Sequence, residues 1–297
     1  MFLVLGNATI DESMATDTWP TAGQTIVVGP PRRDLGGKGA NQALMLSRAG
    51  APVRFVAAIG DDAEGEWIAQ RLAAEGLEAE LVRVTAASDR SMIFVSPAGE
   101  NAIASTVAAA AALSPAFTRE RAATLSAGEL LVMQGNLSLA ATEAALAAAR
   151  AAGARTVFNP SPIQSGFAAL APLVDLLVVN EGEAERLGGA GEPKAVVEAL
   201  RRAGTGAVAL TLGARGSLFA DATGFIHTPA LAASVVDTTG AGDAFTGVLV
   251  GALYHRRLPS PVALAAATAA AALTVQRPGA ASSFPSRAEI EAIFARW

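Results

Sequence analysis

The feature that most constrains the fold is a regular alternation of short apolar runs with stretches of helical periodicity. The runs are typical of strands buried on both faces: Phe2–Leu5, Val53–Ile59, Leu130–Met133, Arg155–Phe158, Leu176–Val179 and Val208–Leu212. The stretches between them predict helices at Asn41–Ala49, Gly65–Glu75, Leu139–Ala152 and Val196–Ala203. This order predicts an α/β fold, a three-layer αβα sandwich with a mainly parallel central sheet. Ligands of such sheets bind beyond the carboxyl ends of the strands.

Two segments, residues 11–34 and 89–107, break this alternation. The first holds several glycines and prolines around Thr25–Val28, a short strand-like run. The second predicts a β-hairpin, with arms Ser91–Ser96 and Asn101–Val107 and a Pro-Ala-Gly turn between them. Together they predict a small β-sheet that covers the ligand site as a lid. No internal repeat or long linker divides the chain, so we expect a single domain over residues 1–297.

Composition excludes several classes of function. The chain has no cysteine, which excludes disulfides, thiolate catalysis and cysteine-bound zinc. A net charge of −5 argues against a nucleic-acid partner, although backbone N–H groups alone can still hold a nucleotide phosphate. The apolar segment Ala263–Val275 is shorter than the roughly 18 residues of a membrane span. The apolar N-terminus lacks the basic start of a signal peptide. We therefore expect a cytoplasmic chain with no membrane partner.

The sharpest motif is Asp-Thr-Thr-Gly-Ala-Gly-Asp-Ala-Phe at residues 237–245. It follows the strand-like run Ser234–Val236 and opens an apolar helix predicted over Ala244–Tyr254. Two glycines at a helix start let a ligand approach the backbone closely. The free N–H groups from Gly240 to Asp243 and the helix dipole then favour an anion. The motif predicts a site for phosphate, or for the charge that develops during phosphoryl transfer.

Asp243 is the candidate proton acceptor in this motif. An aspartate near a helix N-terminus is favoured in its ionised form, which a general base requires. The alternative is that Asp243 only caps the helix, a common role for aspartate.

A second glycine-rich motif, Leu-Gly-Gly-Lys-Gly-Ala-Asn-Gln-Ala, occupies residues 35–43 and again precedes a helix. Lys38 and Asn41 add polar groups that can bind hydroxyls. The alternative is a glycine-rich turn with a solvated lysine. The spacing fits neither a Walker phosphate loop nor a dinucleotide-binding loop.

Residues 36–43 and 237–245 together resemble the ribokinase-like (PfkB) family of carbohydrate kinases. The two motifs stand in the family's order, about two hundred residues apart, and the resemblance extends over essentially the whole chain. Four further segments resemble family motifs: Gly6–Asp11, Asn180–Glu183, Thr211–Gly213 and Arg277–Ser283. The resemblance implies a kinase that uses ATP and Mg²⁺ to phosphorylate a small sugar, with K⁺ as an activator.

The resemblance also implies a role for each matched residue. Asp243 takes the proton from the attacking hydroxyl, and an anion hole is formed by Gly240, Ala241 and Gly242. The sugar is held by Asp11, Gly37, Lys38 and Asn41. ATP and its magnesium lie near Asn180, Glu183, Thr211 and Gly213, with Glu183 in the magnesium region. Potassium is surrounded by Asp237, Thr239, Thr274, Arg277, Gly279 and Ser283, with Arg277 contributing its backbone carbonyl.

The residues alone leave alternatives for two of these roles, and the chain departs from the family in places. Asp11 could be a polar turn residue, and Glu183 a first-turn acid that complements the helix dipole. Asn136 stands where the family often has a glutamate that contacts the sugar, which changes the hydrogen bonds on offer. Ala108–Ala110 replaces a Gly-Ala-Asn segment, and Thr268 replaces a histidine near the adenine.

The resemblance favours a pentose such as D-ribose, phosphorylated on its primary hydroxyl. One alternative is a nucleoside kinase of the same fold, for which Trp19 would be the candidate to stack on the base. Another is a non-catalytic sugar-binding sensor, against which the intact motif around Asp243 argues. The exposed edge of the lid sheet predicts that two subunits pair as a homodimer.

Overall fold

Thirteen strands form two sheets in the computed structural model, which describes all 297 residues. In chain order the strands are β1 (Phe2–Leu5), β2 (Thr9–Ala15), β3 (Arg32–Gly36), β4 (Val53–Gly60), β5 (Ala79–Val84), β6 (Arg90–Val95), β7 (Asn101–Ser105), β8 (Leu130–Gln134), β9 (Arg155–Asn159), β10 (Leu176–Asn180), β11 (Ala207–Thr211), β12 (Ser217–Asp221) and β13 (Gly224–Thr228).

The central sheet has nine strands in the order β13-β12-β11-β10-β9-β8-β1-β4-β5. Every pair from β11 to β5 is parallel, and only β12 and β13 run antiparallel to their neighbours. All six predicted strands are confirmed within one or two residues. Prediction missed the sheet's outer strands β5, β12 and β13. Strands β5 and β13 are partly exposed and mix polar with apolar residues, whereas β12 is buried but its apolar run, Leu218–Ala220, is only three residues long.

Ten α-helices cover the two faces of this sheet. They are α1 (Lys38–Arg48), α2 (Ala63–Ala74), α3 (Ala108–Ala111), α4 (Pro115–Ala122), α5 (Leu139–Ala151), α6 (Glu181–Gly188), α7 (Pro193–Arg202), α8 (Ala241–Val250), α9 (Ser260–Thr274) and α10 (Arg287–Phe294). A single π-helical turn, Gly251–His255, continues α8.

Alternation of side chains along the strands divides the core into two layers. In β1, Phe2 and Val4 join the core that packs against α1, α2, α8, α9 and α10, whereas Leu3 and Leu5 join the core under α3 to α7. This period of two places every second side chain on the opposite face of the sheet. The structure therefore confirms the three-layer αβα sandwich. None of its helices combines the length and apolar character required to cross a membrane.

Four strands form the lid sheet, in the order β3-β2-β6-β7. The β6–β7 hairpin confirms the prediction for residues 89–107. The predicted strand Thr25–Val28 is wrong: these residues pair with no strand, and Val27 is 93% exposed. Pro30 and Pro31 follow, and proline has no N–H to donate to a ladder. The strand predicted at Ser234–Val236 is also absent, and its two valines are half-exposed.

Candidate active site

The glycine-rich motif at residues 36–43 joins the lid to the central sheet. Gly39 approaches the chain after β1 so closely that a Cβ there would lie 2.6 Å from the Asn7 nitrogen. A Cβ at Gly36 would lie 2.0 Å from the Asp11 carboxyl carbon. Gly37 adopts φ 90°, a conformation that L side chains rarely adopt. These glycines therefore allow the end of β1, the lid strand β2 and the start of α1 to meet.

Asp243 lies in the first turn of α8, buried where α8 meets the start of α1. Asn41 Nδ2 donates to Asp243 Oδ2 at 2.9 Å, and Gln42 Nε2 donates to Asp243 Oδ1 at 2.9 Å. Hydrogen bonds donated to a carboxylate favour its charged form. A helix cap would instead use its carboxylate to accept from the helix's own N–H groups, and Asp243 accepts none of them. The two side-chain bonds hold the carboxylate in one orientation.

The loop before α8 offers two free amide donors. Gly240 adopts the left-handed conformation with φ 78°. The N–H groups of Gly240 and Gly242 donate no hydrogen bond within the protein. The expectation of free N–H groups from Gly240 to Asp243 is therefore only half right. Ala241 N–H donates to Thr238 O at 3.3 Å and Asp243 N–H to Gly240 O at 3.0 Å, because the first turn closes on itself.

Asp11 lies in β2, so the reading of it as a turn residue is wrong. Its side chain is buried and accepts a hydrogen bond from Thr9 Oγ1 at 2.7 Å. The pKa of Asp11 is raised to about 6, mainly by burial and to a smaller extent by the charges of Asp34 and Asp243, against the lowering effect of hydrogen bonds from Thr9 and Ser91. The influence of Asp243 shows that the lid carboxylate lies near the candidate base.

Three buried amide oxygens in this region have no partner: Gln134 Oε1, at the end of β8, and the side-chain oxygens of Asn41 and Asn136. Asn41 uses its Nδ2 on Asp243, which leaves its Oδ1 buried and unpaired. Asn136 follows β8, and its Oδ1 is also buried and unpaired. Lys38, the first residue of α1, makes no ion pair or hydrogen bond with other side chains. Since buried polar atoms are normally paired, the oxygens of Asn41 and Asn136 are suited to accept hydrogen bonds from a hydroxylated ligand.

A cavity of about 580 Å³ opens beside the same loop. Small and aliphatic side chains dominate its lining, which includes Ala241 and Gly242 of the loop. Ser217 and Thr268 also line it and share a hydrogen bond of 2.8 Å. Its size and apolar walls suit a planar ring, and the Gly242 backbone in its lining suits a phosphate group of the same ligand.

The four residues expected around the nucleotide separate into two pairs. Thr211 and Gly213 line the cavity at the end of β11. Asn180 and Glu183 lie outside its lining and form the capping box of α6: Glu183 N–H donates to Asn180 Oδ1, and Asn180 N–H donates to Glu183 Oε2, each at 2.9 Å. Asn180 nevertheless pairs in register with Thr211 on the next strand, which brings α6 to the same edge of the sheet.

Asp237 links the anion loop to residues 277–283. Its buried carboxylate accepts from Thr239 N–H and Gly279 N–H, each at 2.9 Å, and makes no ion pair. The Arg277 side chain instead pairs with Glu289, which leaves only its backbone for a site in this loop. A buried carboxylate without a cationic side chain fits a bound cation.

The lid is tied to both of these loops. On one side, Arg32 Nη2 donates to Pro278 O at 2.8 Å and Ser282 N–H donates to Asp34 Oδ2 at 2.9 Å. On the other, Asn101 Nδ2 donates to Thr239 Oγ1 at 3.1 Å. The lid strands therefore fix the loop at residues 237–240 and the loop at residues 277–283 relative to each other.

Sequence reasoning missed a group of buried amides behind Asp243. Gln42 Nε2 donates to Asn159 Oδ1 at 3.0 Å, and Gln134 Nε2 donates to Gln42 Oε1 at 2.9 Å. Gln134 and Asn159 are the last residues of neighbouring strands β8 and β9 and face each other in register. A polar residue directly after an apolar strand run is the signal that could have found them.

Comparison with known proteins agrees with this geometry. The profile of the pfkB family carbohydrate kinases matches residues 1–287. The chain belongs to this family. It is 33% identical to the ribokinase of Haemophilus influenzae over 293 residues, which cover 96% of this chain and 95% of the relative.

Solved structures show the same fold. The ribokinase of Giardia lamblia superimposes with a TM-score of 0.89 at 27% identity, covering 100% of this chain and 99% of the other. The Arabidopsis thaliana ribokinase, complexed with ribose and ATP, superimposes with a TM-score of 0.81 at 26% identity, covering 99% and 98%. The predicted family, the fold and the assignment as a carbohydrate kinase are confirmed.

Proposed function

We propose that this protein transfers the γ-phosphoryl group of ATP to the primary hydroxyl of D-ribose, with Asp243 as general base. One observation carries the proposal: a buried carboxylate, held by two amide donors, stands in the first turn of a helix beside two unpaired backbone N–H groups. The carboxylate can accept a proton, and the two N–H groups can stabilise a transferring phosphoryl group.

The chemistry follows from these positions. Asp243 accepts the proton of the primary hydroxyl while the hydroxyl oxygen attacks the γ-phosphorus and the bond to the ADP oxygen breaks. The anion hole of Gly240, Ala241 and Gly242 holds the phosphoryl oxygens, with Gly240 and Gly242 supplying free N–H groups. Phosphoryl transfer depends mainly on positioning and charge stabilisation, which a rigid loop at a helix start supplies.

The sugar is held by residues of the lid, α1 and the end of β8. Asp11 accepts hydrogen bonds from two hydroxyls, and the unpaired amide oxygens of Asn41 and Asn136 accept one each. Lys38 donates from the start of α1, and Gly37 lets the sugar approach the backbone. Asn136 offers an amide in place of the carboxylate common in the family, so it both donates and accepts.

The nucleotide occupies the 580 Å³ cavity, with its base among the aliphatic side chains and Thr211 and Gly213 beside it. Asn180 and Glu183 act at the phosphate end, across the neighbouring strand. Glu183 is the carboxylate suited to the magnesium region, because its Oε1 has no partner within the protein. When bound with the nucleotide, Mg²⁺ neutralises the phosphate charge.

A potassium ion fits between the anion loop and residues 277–283. Its ligands come from Asp237, Thr239, Thr274, Gly279, Ser283 and the Arg277 carbonyl. Asp237 already bridges the two loops, so a cation there fixes the anion hole in place. Higher turnover in potassium than in sodium, lost in Asp237→Asn, would support this site. Equal turnover rates in potassium and sodium would contradict the proposed potassium site.

The lid also suits a subunit interface. Its edge strand β7 has four of five residues exposed, and the Met92 and Ile103 side chains on the lid are each about half-exposed. Light scattering on purified protein distinguishes the expected homodimer from a monomer.

Cytoplasmic residence stays a prediction.

An ATP-consumption assay across a substrate panel tests the proposed function. The panel contains D-ribose, 2-deoxyribose, other pentoses, hexoses and adenosine, with Asp243→Asn as the negative control. We expect D-ribose to give the highest kcat/KM and the phosphate to appear on its primary carbon in the product's NMR spectrum. Preference for adenosine would establish a nucleoside kinase, and no turnover of any compound would favour a sugar-binding sensor.

A further inference from the structure

The amides behind Asp243 form a connected network that ends on the candidate base. It consists of Gln42, Gln134 and Asn159, which are respectively 1%, 0% and 7% exposed. We call this group the amide network. Burial this complete means that the network makes its hydrogen bonds within the protein and not with bulk water; its one unpaired polar atom is Gln134 Oε1.

The network has a fixed direction, set by a backbone carbonyl. Asn159 Nδ2 donates to Val178 O in β10 at 2.8 Å. A carbonyl can only accept, so the Asn159 amide must place its nitrogen there and its Oδ1 on the other side. Gln42 Nε2 donates to that Oδ1 at 3.0 Å.

The orientation of Gln42 then determines what Asp243 meets. With one N–H on Asn159, the second N–H of Gln42 Nε2 donates to Asp243 Oδ1 at 2.9 Å. Gln42 Oε1 faces the other way and accepts from Gln134 Nε2 at 2.9 Å. Turning the Gln42 amide over would set its oxygen against the Asp243 carboxylate and against Asn159 Oδ1, and would leave Gln134 Nε2 facing a donor. The network therefore allows one orientation only.

We infer that Gln42 is a positioning residue for the phosphoryl-transfer reaction, holding the Asp243 carboxylate aimed at the substrate hydroxyl through the amide network. This inference rests on the proposed function of Asp243. Asn41 donates to Asp243 Oδ2, but its own Oδ1 is unpaired and can accept from a ligand. In contrast, both N–H groups and the oxygen of the Gln42 side chain are already paired within the protein. Gln42 thus acts on the reaction only through Asp243.

The charge environment of Asp243 gives this contact its importance. Asp11 on β2 faces Asp243 with the same charge, and Asp34 on β3 adds to the acidic field at Asp11. No lysine or arginine forms an ion pair with Asp243. The neutral donors from Asn41 and Gln42 on α1 are the side-chain contacts that offset this repulsion.

Gln42→Met tests the inference, because methionine has nearly the same length and shape but neither donates nor accepts strongly. We expect kcat to fall at least about tenfold and the KM for ATP to stay unchanged, because the lost bond acts on the base and not on the nucleotide. We also expect the KM for the sugar to change less than kcat, because Gln42 has no free hydrogen-bonding group for a ligand and acts only through the base.

Asn159→Leu is the second variant, and it keeps the test decisive if Gln42→Met does not fold. Asn159 does not touch Asp243, yet it orients Gln42, so we expect the same pattern in smaller measure. Thr142→Val is the matched control. It removes a buried hydroxyl that donates to Ser138 O at the start of α5, away from the network, and should lower the melting temperature without changing kcat.

A readout without substrate separates this inference from the proposed function. The Cγ resonance of Asp243 in ¹³C-aspartate protein, assigned by its absence in Asp243→Asn, should shift in Gln42→Met relative to the parent protein at one fixed pH, because Oδ1 loses its donor. If the parent turns over no ribose but this shift occurs, the proposed substrate fails and the positioning role stands. If folded Gln42→Met keeps the parent's kcat and Asp243 Cγ chemical shift, or loses only stability as Thr142→Val does, the inference is overturned.

Discussion

The two ends of the proposed active site differ in how they are built. The proposed sugar end, around Asp11, Asn41 and Asp243, is buried and crowded with carboxylates and amides in fixed hydrogen bonds. The proposed nucleotide end is an open, mostly aliphatic cavity in which Gly242 and other backbone groups replace polar side chains. Under the proposed function, directed hydrogen bonds recognise the sugar, and shape and backbone contacts recognise the nucleotide.

This contrast also separates the two ends energetically. Buried carboxylates and unpaired amide oxygens destabilise the free protein and are compensated when a ligand hydroxyl arrives. Aliphatic walls carry no such penalty. Substitutions at the sugar end should therefore change chemistry and stability together, and substitutions at the nucleotide end should change mainly nucleotide affinity.

The largest expected effect lies at the junction of the two ends. Asp243→Asn keeps the shape of the side chain but removes the proton acceptor, so kcat should fall by about 10²- to 10⁴-fold. Nucleotide affinity, measured by calorimetry, should stay within about twofold. Turnover near the parent rate would show that another group is the general base and would contradict the role proposed for Asp243.

Asp11→Asn sharpens the account of the sugar end. The pKa of Asp11 is about 6 in the folded protein, against an ordinary value of 3.8, so between these values the folded state binds a proton that the unfolded chain has released. Stability due to this group is present below pH 4 and lost as pH rises to about 6.

The Asn side chain cannot lose a proton, so this variant should be more stable than the parent at pH 7, by about 3 kcal/mol, and equal to it near pH 3. Its KM for the sugar should rise because a strong acceptor is lost. Urea unfolding at the two pH values, beside sugar kinetics, measures both effects. A variant less stable than the parent at pH 7 would contradict the buried-charge argument.

Gly242→Ala tests the backbone contacts at the phosphate end. A Cβ at Gly242 would meet no protein atom within 4 Å, so the fold should tolerate it. The methyl group would occupy the space assigned to the phosphoryl group, and kcat/KM should fall about 10- to 100-fold. Gly191→Ala, an exposed glycine with one ordinary contact, is the control and should leave kinetics unchanged. Equal kinetics in both variants would remove Gly242 from the anion hole.

Ala272→Leu gives the smallest effect and probes the aliphatic wall. Ala272 lines the cavity from α9, so a leucine there should raise the KM for ATP about tenfold and leave the KM for the sugar unchanged. Ala265→Leu, on the same helix but outside the lining, is the matched control. A change in sugar affinity would show that the two ends are not separate.

Much of the fold was predictable from the sequence because the strands that build the centre of the sheet are continuous apolar runs. The strands at the edges of the sheet could not be predicted in this way, because β5 and β13 mix polar and apolar residues and the apolar run of β12 is short. Thr25–Val28 has the composition of a strand but pairs with no other strand. Hydrophobic pattern reports burial, whereas strand pairing depends on neighbours that are distant in sequence.

The site divides in the same way. The two glycine-rich motifs, and Asp243 within one of them, were readable because phosphate binding at a helix start leaves a local signature. The amide network was not, because Gln42, Gln134 and Asn159 are brought together from three separate elements. Glu183 shows a different difficulty: its spacing from Asn180 fits a nucleotide motif, but the same spacing also predicts a capping box, which is what the two residues form.

A crystal structure of Asp243→Asn with D-ribose and a non-hydrolysable ATP analogue would show directly whether residue 243 meets the attacking hydroxyl. We expect the primary hydroxyl oxygen within about 2.6–3.2 Å of the residue 243 side chain, and the terminal phosphate facing the Gly242 N–H. A ribose whose primary hydroxyl points away from residue 243, or a terminal phosphate remote from Gly242, would contradict the proposed mechanism.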